Sequence, residues 1–145
     1  MDYSDMARKK YLNNLLWLIF LVIIISGCED FPIFTSGDIS GLWLCDESGG
    51  YKKSALETYY VEINPDPNDS TKAIISNFFN VNDDAEARVS GTSVNLPSQT
   101  LKGNFTVHGS GTISKNFTQI DWVYYVNDGS GENLKVTAVY TKESD

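Results

Sequence analysis

The stretch I-D-W-V-Y-Y-V-N-D-G-S-G-E-N-L-K-V-T-A-V-Y, from Ile120 to Tyr140, decides the fold. Ile120, Trp122, Tyr124 and Val126 alternate with polar or smaller residues at a period of two. Leu134, Val136, Ala138 and Tyr140 repeat that pattern after Asn127-Asp128-Gly129-Ser130-Gly131. A period of two places one set of side chains on one face of a strand, and a Gly-rich turn supplies the positive φ angles of a hairpin.

Working back toward the N-terminus, the same grammar repeats. Leu101, Gly103, Phe105 and Val107 alternate with Lys102, Asn104, Thr106 and His108. Thr92, Val94 and Leu96 form an inward set after the turn Ser90-Gly91-Thr92, and Ala85, Ala87 and Val89 form one before it. Lys72 to Phe79 is more continuously apolar, as in a central strand. Tyr59, Val61 and Ile63 share a face, and Leu42-Trp43-Leu44-Cys45 opens the series. About eight strands with short loops leave no room for crossover helices, so the sheet is expected to be antiparallel. Burial of one face per strand leaves a sandwich or a closed up-and-down barrel. Closure is favoured because it leaves no exposed edge.

Upstream lies an export signal. Arg8-Lys9-Lys10 precedes an unbroken apolar run from Leu15 to Ile25, then Ser26, Gly27 and Cys28. Eleven helical residues at about 1.5 Å each reach roughly 17 Å, too short for a ~30 Å hydrocarbon core. The run therefore reads as a signal h-region and not as a membrane anchor. Ile25-Ser26-Gly27-Cys28 resembles the lipobox of bacterial lipoproteins. That resemblance implies diacylation of Cys28, removal of residues 1–27, a lipidated tether over 28–37 and a β-barrel domain over 38–145. The tether reading also rests on Pro32, Gly37 and the lack of periodicity. Glu29 and Asp30 partly resemble the acidic sorting residues of Bacteroidetes surface lipoproteins. An outer-membrane location, on the periplasmic or surface face, is expected ahead of inner-membrane retention.

The whole chain has 11 basic and 19 acidic residues. Removal of residues 1–27 takes away three basic and two acidic ones and leaves a net charge of −9 on 118 residues. Such a surface repels phosphate backbones, which argues against nucleic acid, and offers no basic patch to a bilayer. Membrane attachment falls to the lipid on Cys28. Cys45 is then the one remaining cysteine, with no intrachain disulfide to form, and its apolar neighbours predict a buried thiol.

Ser40-Gly41-Leu42-Trp43 adds a motif. Gly41-x-Trp43 on the first strand resembles the G-x-W of calycin barrels, the lipocalin-like and avidin-like proteins. There the glycine allows close backbone approach and the indole plugs one end. Ile74 to Phe78 (I-I-S-N-F) and Leu96 to Thr100 (L-P-S-Q-T) are similar to segments of small calycin-like lipoproteins of Bacteroidetes. The resemblance implies a fold and a location, and no shared activity.

Catalytic chemistry finds little support. His108-Gly109-Ser110-Gly111 has no carboxylate placed to orient the imidazole, and its glycines suggest a bend or bulge. Asp66-Pro67-Asn68-Asp69-Ser70 lacks the glycine and the glutamate of a calcium loop, having Thr71 and Asn77 there. Asn82-Asp83-Asp84 reads as a solvated turn. No catalytic residue, metal site or cofactor is expected, although folding can still bring two carboxylates together across a cleft. Asp69-Ser70-Thr71 resembles the O-glycosylation sequon of Bacteroidetes exported proteins, which would make Ser70 an acceptor; an ordinary turn is the alternative.

Trp43, Tyr59, Phe105, Trp122, Tyr124 and Tyr140 fall on inward faces. Core packing is one reading of them. The other is a barrel mouth where Trp43, Tyr59, Trp122 and Tyr124 contact a small apolar or glycan-like ligand. A third expectation is an accessory subunit of an envelope complex, with a filled core and Tyr60, Val123, Tyr125 and Val139 turned outward.

Overall fold

The computed structural model describes residues 35–49 and 52–144, and of residues 37 and 52–56 the backbone alone. The readings of the signal segment, of Cys28 and of most of the tether lie outside the described residues. Eight strands run β1 Gly41–Gly49, β2 Lys52–Asp66, β3 Asp69–Ser76, β4 Ala85–Ser90, β5 Ser93–Leu101, β6 Phe105–Ile113, β7 Gln119–Asn127 and β8 Leu134–Lys142. Each pairs antiparallel with its sequence neighbours, and β1 pairs with β8 to close the barrel. The fold is an all-β, closed, eight-stranded antiparallel up-and-down barrel.

The alternation in the sequence is what closes it. Along β7 and β8, Ile120, Trp122, Tyr124, Val126, Val136, Ala138 and Tyr140 are buried while the residues between them face out. An eight-stranded barrel has an interior that side chains can fill. Here Trp43, Trp122, Tyr124, Tyr140, Phe78 and Phe79 fill it, in edge-on and tilted contacts 5.0 to 6.2 Å between centroids for the rings around Trp122 and Tyr124.

Space for these rings comes from β6. A Cβ on Gly109 would lie 2.5 Å from the Tyr124 backbone, and one on Gly111 would lie 2.9 Å from the Trp122 ring. The two glycines place no bulge in β6, which pairs in regular register with β7 throughout. The irregularity is on β5, between Leu96 and Gln99, where Pro97, lacking an N–H, sits in a bulge.

Three local expectations are corrected. The apolar run ending at Phe79 is not one strand: β3 stops at Ser76, Asn77 takes a left-handed conformation (φ 60°), and Phe78 and Phe79 turn into the barrel. Asn77 secures the turn by donating to the Tyr60 carbonyl and accepting from the Asn82 N–H. Leu101 ends β5 instead of opening the next strand, because Lys102-Gly103-Asn104 form the turn. Thr92 is exposed in the turn before β5 and does not face inward.

One end of the barrel is stoppered by the first strand. Gly41 has φ 124°, and Trp43 is fully buried, its indole N–H donating to the Ile39 carbonyl at 3.0 Å. A Cβ on Gly41 would make only an ordinary 3.4 Å contact, so it is the backbone angle that calls for glycine here. The short 3-10 turn Ser36–Ile39 packs beside it, with Ser36 donating to the Ser70 carbonyl. The folded body thus reaches into the segment read as tether.

Candidate functional site

Period-two burial on β1 does not stop at Cys45. Glu47 continues it, so a carboxylate points inward and is 2 % exposed. Burial of a carboxylate demands compensation. Two phenols provide it: the Tyr59 and Tyr124 hydroxyls each donate to Glu47 Oε2 at 2.5 Å. Both meet the same oxygen, so Oε1 receives neither. Among the described residues no cation pairs with Glu47.

Register explains how strands so far apart share one group. Trp122 of β7 pairs with Ala138 of β8, and Ala138 pairs with Glu47 of β1, which pairs with Glu57 of β2. Ala138 is the small member of this row and separates the Trp122 indole from the Glu47 side chain. The adjacent row is Ile120, Tyr140, Cys45 and Tyr59. Tyr140 packs on Trp122 at 5.7 Å. Glu47, Tyr59, Tyr124, Tyr140 and Cys45 therefore form a polar layer beside Ala138, with the Trp122 ring packed on Tyr140 at its margin.

Two polar atoms of this layer and its margin lack a regular hydrogen bond: Trp122 Nε1 and the Tyr140 hydroxyl. Tyr140 lies within electrostatic reach of Cys45 and Tyr59, but in neither case does the contact have hydrogen-bond geometry. Buried unpartnered donors are unusual, since each forgoes its interaction with water. Burial pushes the Cys45 thiol up to about 12, opposed by the nearby hydroxyls of Tyr59 and Tyr140 and reinforced by the Glu47 charge. Burial likewise raises the phenols of Tyr59, Tyr124 and Tyr140 well above the ordinary tyrosine range, and the Glu47 charge adds to it in all three.

Glu57, on the inner face by alternation, accepts from Asn80 Nδ2 at 2.6 Å. The turn carrying Phe78, Phe79 and Asn80 thus connects the rim to the interior, where Phe78 and Phe79 pack on Tyr124. Phe79 itself has φ 56°, a left-handed conformation that costs a non-glycine residue about 1–3 kcal/mol. Glu47 and Glu57 are neighbours along one wall and do not oppose each other across a cleft.

Of the four residues expected at a ligand mouth, Tyr59 and Tyr124 meet in this layer and Trp122 lies at its margin, while Trp43 lies at the stoppered end by Ile39. The residue that sequence reasoning missed is Glu47. The other sequence candidates sit apart. His108 faces outward and stacks on Tyr125 at 5.4 Å. Ser70 is exposed, while Asp69 beside it bonds the Thr71 N–H and hydroxyl, which holds its carboxyl below the usual range. Asp83 accepts from the Lys102 N–H. Among the described residues no group of three or more His, Cys, Asp or Glu gathers as a metal site would, and no helix is long and apolar enough to cross a membrane.

No family model matches the chain, and no curated protein matches it in sequence.

Proposed function

We propose that the chain is a non-enzymatic, lipid-anchored binding protein of the cell envelope, held in the outer membrane through Cys28, whose calycin-like barrel takes a small ligand in the layer around Glu47. The observation that carries the reading is the set of hydrogen-bonding positions there: a carboxylate with both phenols on one oxygen, a buried indole N–H and a buried phenol, the last two without partners. A ligand bearing both donors and acceptors, as a sugar does, matches these groups better than a purely apolar one. The anchoring half rests on the run Leu15 to Ile25 and the segment Ile25-Ser26-Gly27-Cys28. The non-enzymatic reading rests on Glu47 and Glu57 lying side by side on one wall, with one oxygen of Glu47 held by Tyr59 and Tyr124 and one of Glu57 by Asn80.

The test is calorimetric titration and thermal unfolding of the full chain with glucose, N-acetylglucosamine, maltose and dodecanoate as probes, beside the variant Trp122→Phe. A sugar that raises the unfolding temperature of the wild type, and does so less in the variant, supports the reading. A full panel without effect at millimolar concentration, or a response to dodecanoate alone, removes the sugar-like ligand.

The second reading is an accessory subunit with a filled core. The close ring packing around Trp122 and Tyr124 favours it.

A further inference from the structure

The closed barrel has no strand edge to offer a partner, so any protein that docks on its wall must do so through outward side chains. Those side chains are not evenly mixed. Leu42, Tyr60, Val123, Tyr125 and Val139 are large apolar residues 37 to 52 % exposed, and all lie on the four adjacent strands β2, β1, β8 and β7.

Register joins them. Tyr60 pairs with Leu44, itself half-buried and two residues from Leu42. Leu44 is diagonal to Val139, because Val139 pairs with Asp46. Val139 is diagonal to Val123, because Val123 pairs with Thr137. Tyr125 follows on β7 and stacks on His108 of β6. Diagonal neighbours lie about 7–8 Å apart, within reach of one another's side chains. The result is one oblique apolar stripe and not a scatter of single residues, which would need no explanation.

The charges beside the stripe have one predominant sign. Asp46 and Asp121 flank Val139 on either side in the same row and Glu62 neighbours Tyr60, against the one lysine of these rows, Lys135 opposite Tyr125. Among the described residues none of these three carboxylates has a cationic partner; Asp46 accepts from the Thr58 hydroxyl and Asp121 from the Gln119 amide. The wall formed by β3 and β4 differs: there Lys72 pairs with Glu86 and Arg88 with Asp69.

We propose that this stripe is a docking surface for a protein strip of apolar and aromatic residues flanked by lysine or arginine. Complementary charge selects that occupant. A second copy would bring Asp46, Asp121 and Glu62 against a surface of the same sign, and an anionic lipid surface would be repelled by them. The proposal is independent of the interior layer, since the stripe uses only outward-facing residues.

The test uses the full chain in detergent and two synthetic peptides that share an alternating leucine, tryptophan and threonine sequence, one flanked by lysines and the other by glutamates. Binding is read by fluorescence anisotropy, and its location by amide shifts in nuclear magnetic resonance. The lysine-flanked peptide should bind, weaken with salt, and shift amides of β1, β2, β7 and β8. Val123→Ser with Tyr125→Ser should weaken it by about tenfold. Asp46→Asn with Asp121→Asn should lower affinity and flatten the salt dependence without altering thermal unfolding. The second pair carries the test should the first fail to fold. Equal binding of both peptides, or shifts confined to β3 to β5, overturns the proposal. So does dimerisation of the peptide-free chain through Val123, or tighter binding to phosphatidylglycerol vesicles than to the peptide.

Discussion

Tyr124 on β7 and Glu47 on β1 are hydrogen-bonded at 2.5 Å inside the barrel although β8 runs between their strands. The contact is possible because Ala138, the β8 residue between Glu47 and Trp122, has no side chain beyond its Cβ. It makes Glu47 a cross-brace as well as a candidate ligand group.

That geometry separates two conservative substitutions. Tyr124→Phe removes one of the two donors to a buried carboxylate and should cost about 1.5–3 kcal/mol. Tyr140→Phe removes a hydroxyl that lacks a regular partner and should be neutral or stabilising by up to about 1 kcal/mol. Urea unfolding of both variants beside wild type gives the comparison. Equal losses would show that the Tyr140 hydroxyl has a partner in solution.

Gly109 is set by its neighbour on β7. Gly109→Ala should destabilise the barrel by about 3 kcal/mol or prevent folding, since the new Cβ meets backbone atoms 2.5 Å away. Gly111→Ala meets only side-chain atoms, at 2.8 to 3.0 Å, and should cost less, about 1–3 kcal/mol. Circular dichroism melts of the two variants would rank them, and a milder effect at Gly109 would contradict the close β6–β7 approach.

The barrel should lose stability in alkali. The folded state raises the Cys45 pKa from 9.0 to about 12 and raises the phenols of Tyr59, Tyr124 and Tyr140 above 10.0, so it retains protons that the unfolded chain releases. The contribution is complete below pH 9 and declines above it, by about 1.4 kcal/mol per pH unit for each group titrating in the unfolded chain. Urea midpoints from pH 8 to 11 should fall more steeply above pH 10, when the tyrosines join the cysteine. Cys45 should also resist iodoacetamide at pH 8 until the chain unfolds. Labelling of the folded protein at the rate of a free thiol would refute this.

Lipidation is tested in cells. Full-length chain expressed with a palmitate analogue should take up label, and Cys28→Ala should take up none and accumulate uncleaved. Label on the variant equal to that on wild type would end the lipoprotein reading.

Most of the wall could be read from the sequence because one-sided burial writes a period of two, as in Ile120, Trp122, Tyr124 and Val126. The rows of the site could not. Glu47 follows Trp43 and Cys45 at the right spacing, and that parity was the available signal, but an acidic residue near a predicted strand end reads as solvent-facing. Its compensation comes from Tyr59 and Tyr124, which only register brings to it. Phe78 and Phe79 were hidden differently. An apolar run looks the same in a strand and in a plug, and the left-handed turn at Asn77 decides between them.

Barrel closure carries a consequence for biogenesis. Seven of the eight ladders join strands adjacent in sequence, while the eighth pairs Trp43 with Lys142 and Gly49 with Val136. The cylinder therefore stays an open, curled meander with two bare rims until the final strand arrives, and loop closure over that separation comes late. A chain delivered N-terminus first has its opening strand waiting longest for its partner. Loss of the last strand, Leu134–Lys142, would leave β1 and β7 both unpaired along one side, which turns a C-terminal truncation from a trimming into an exposed adhesive seam.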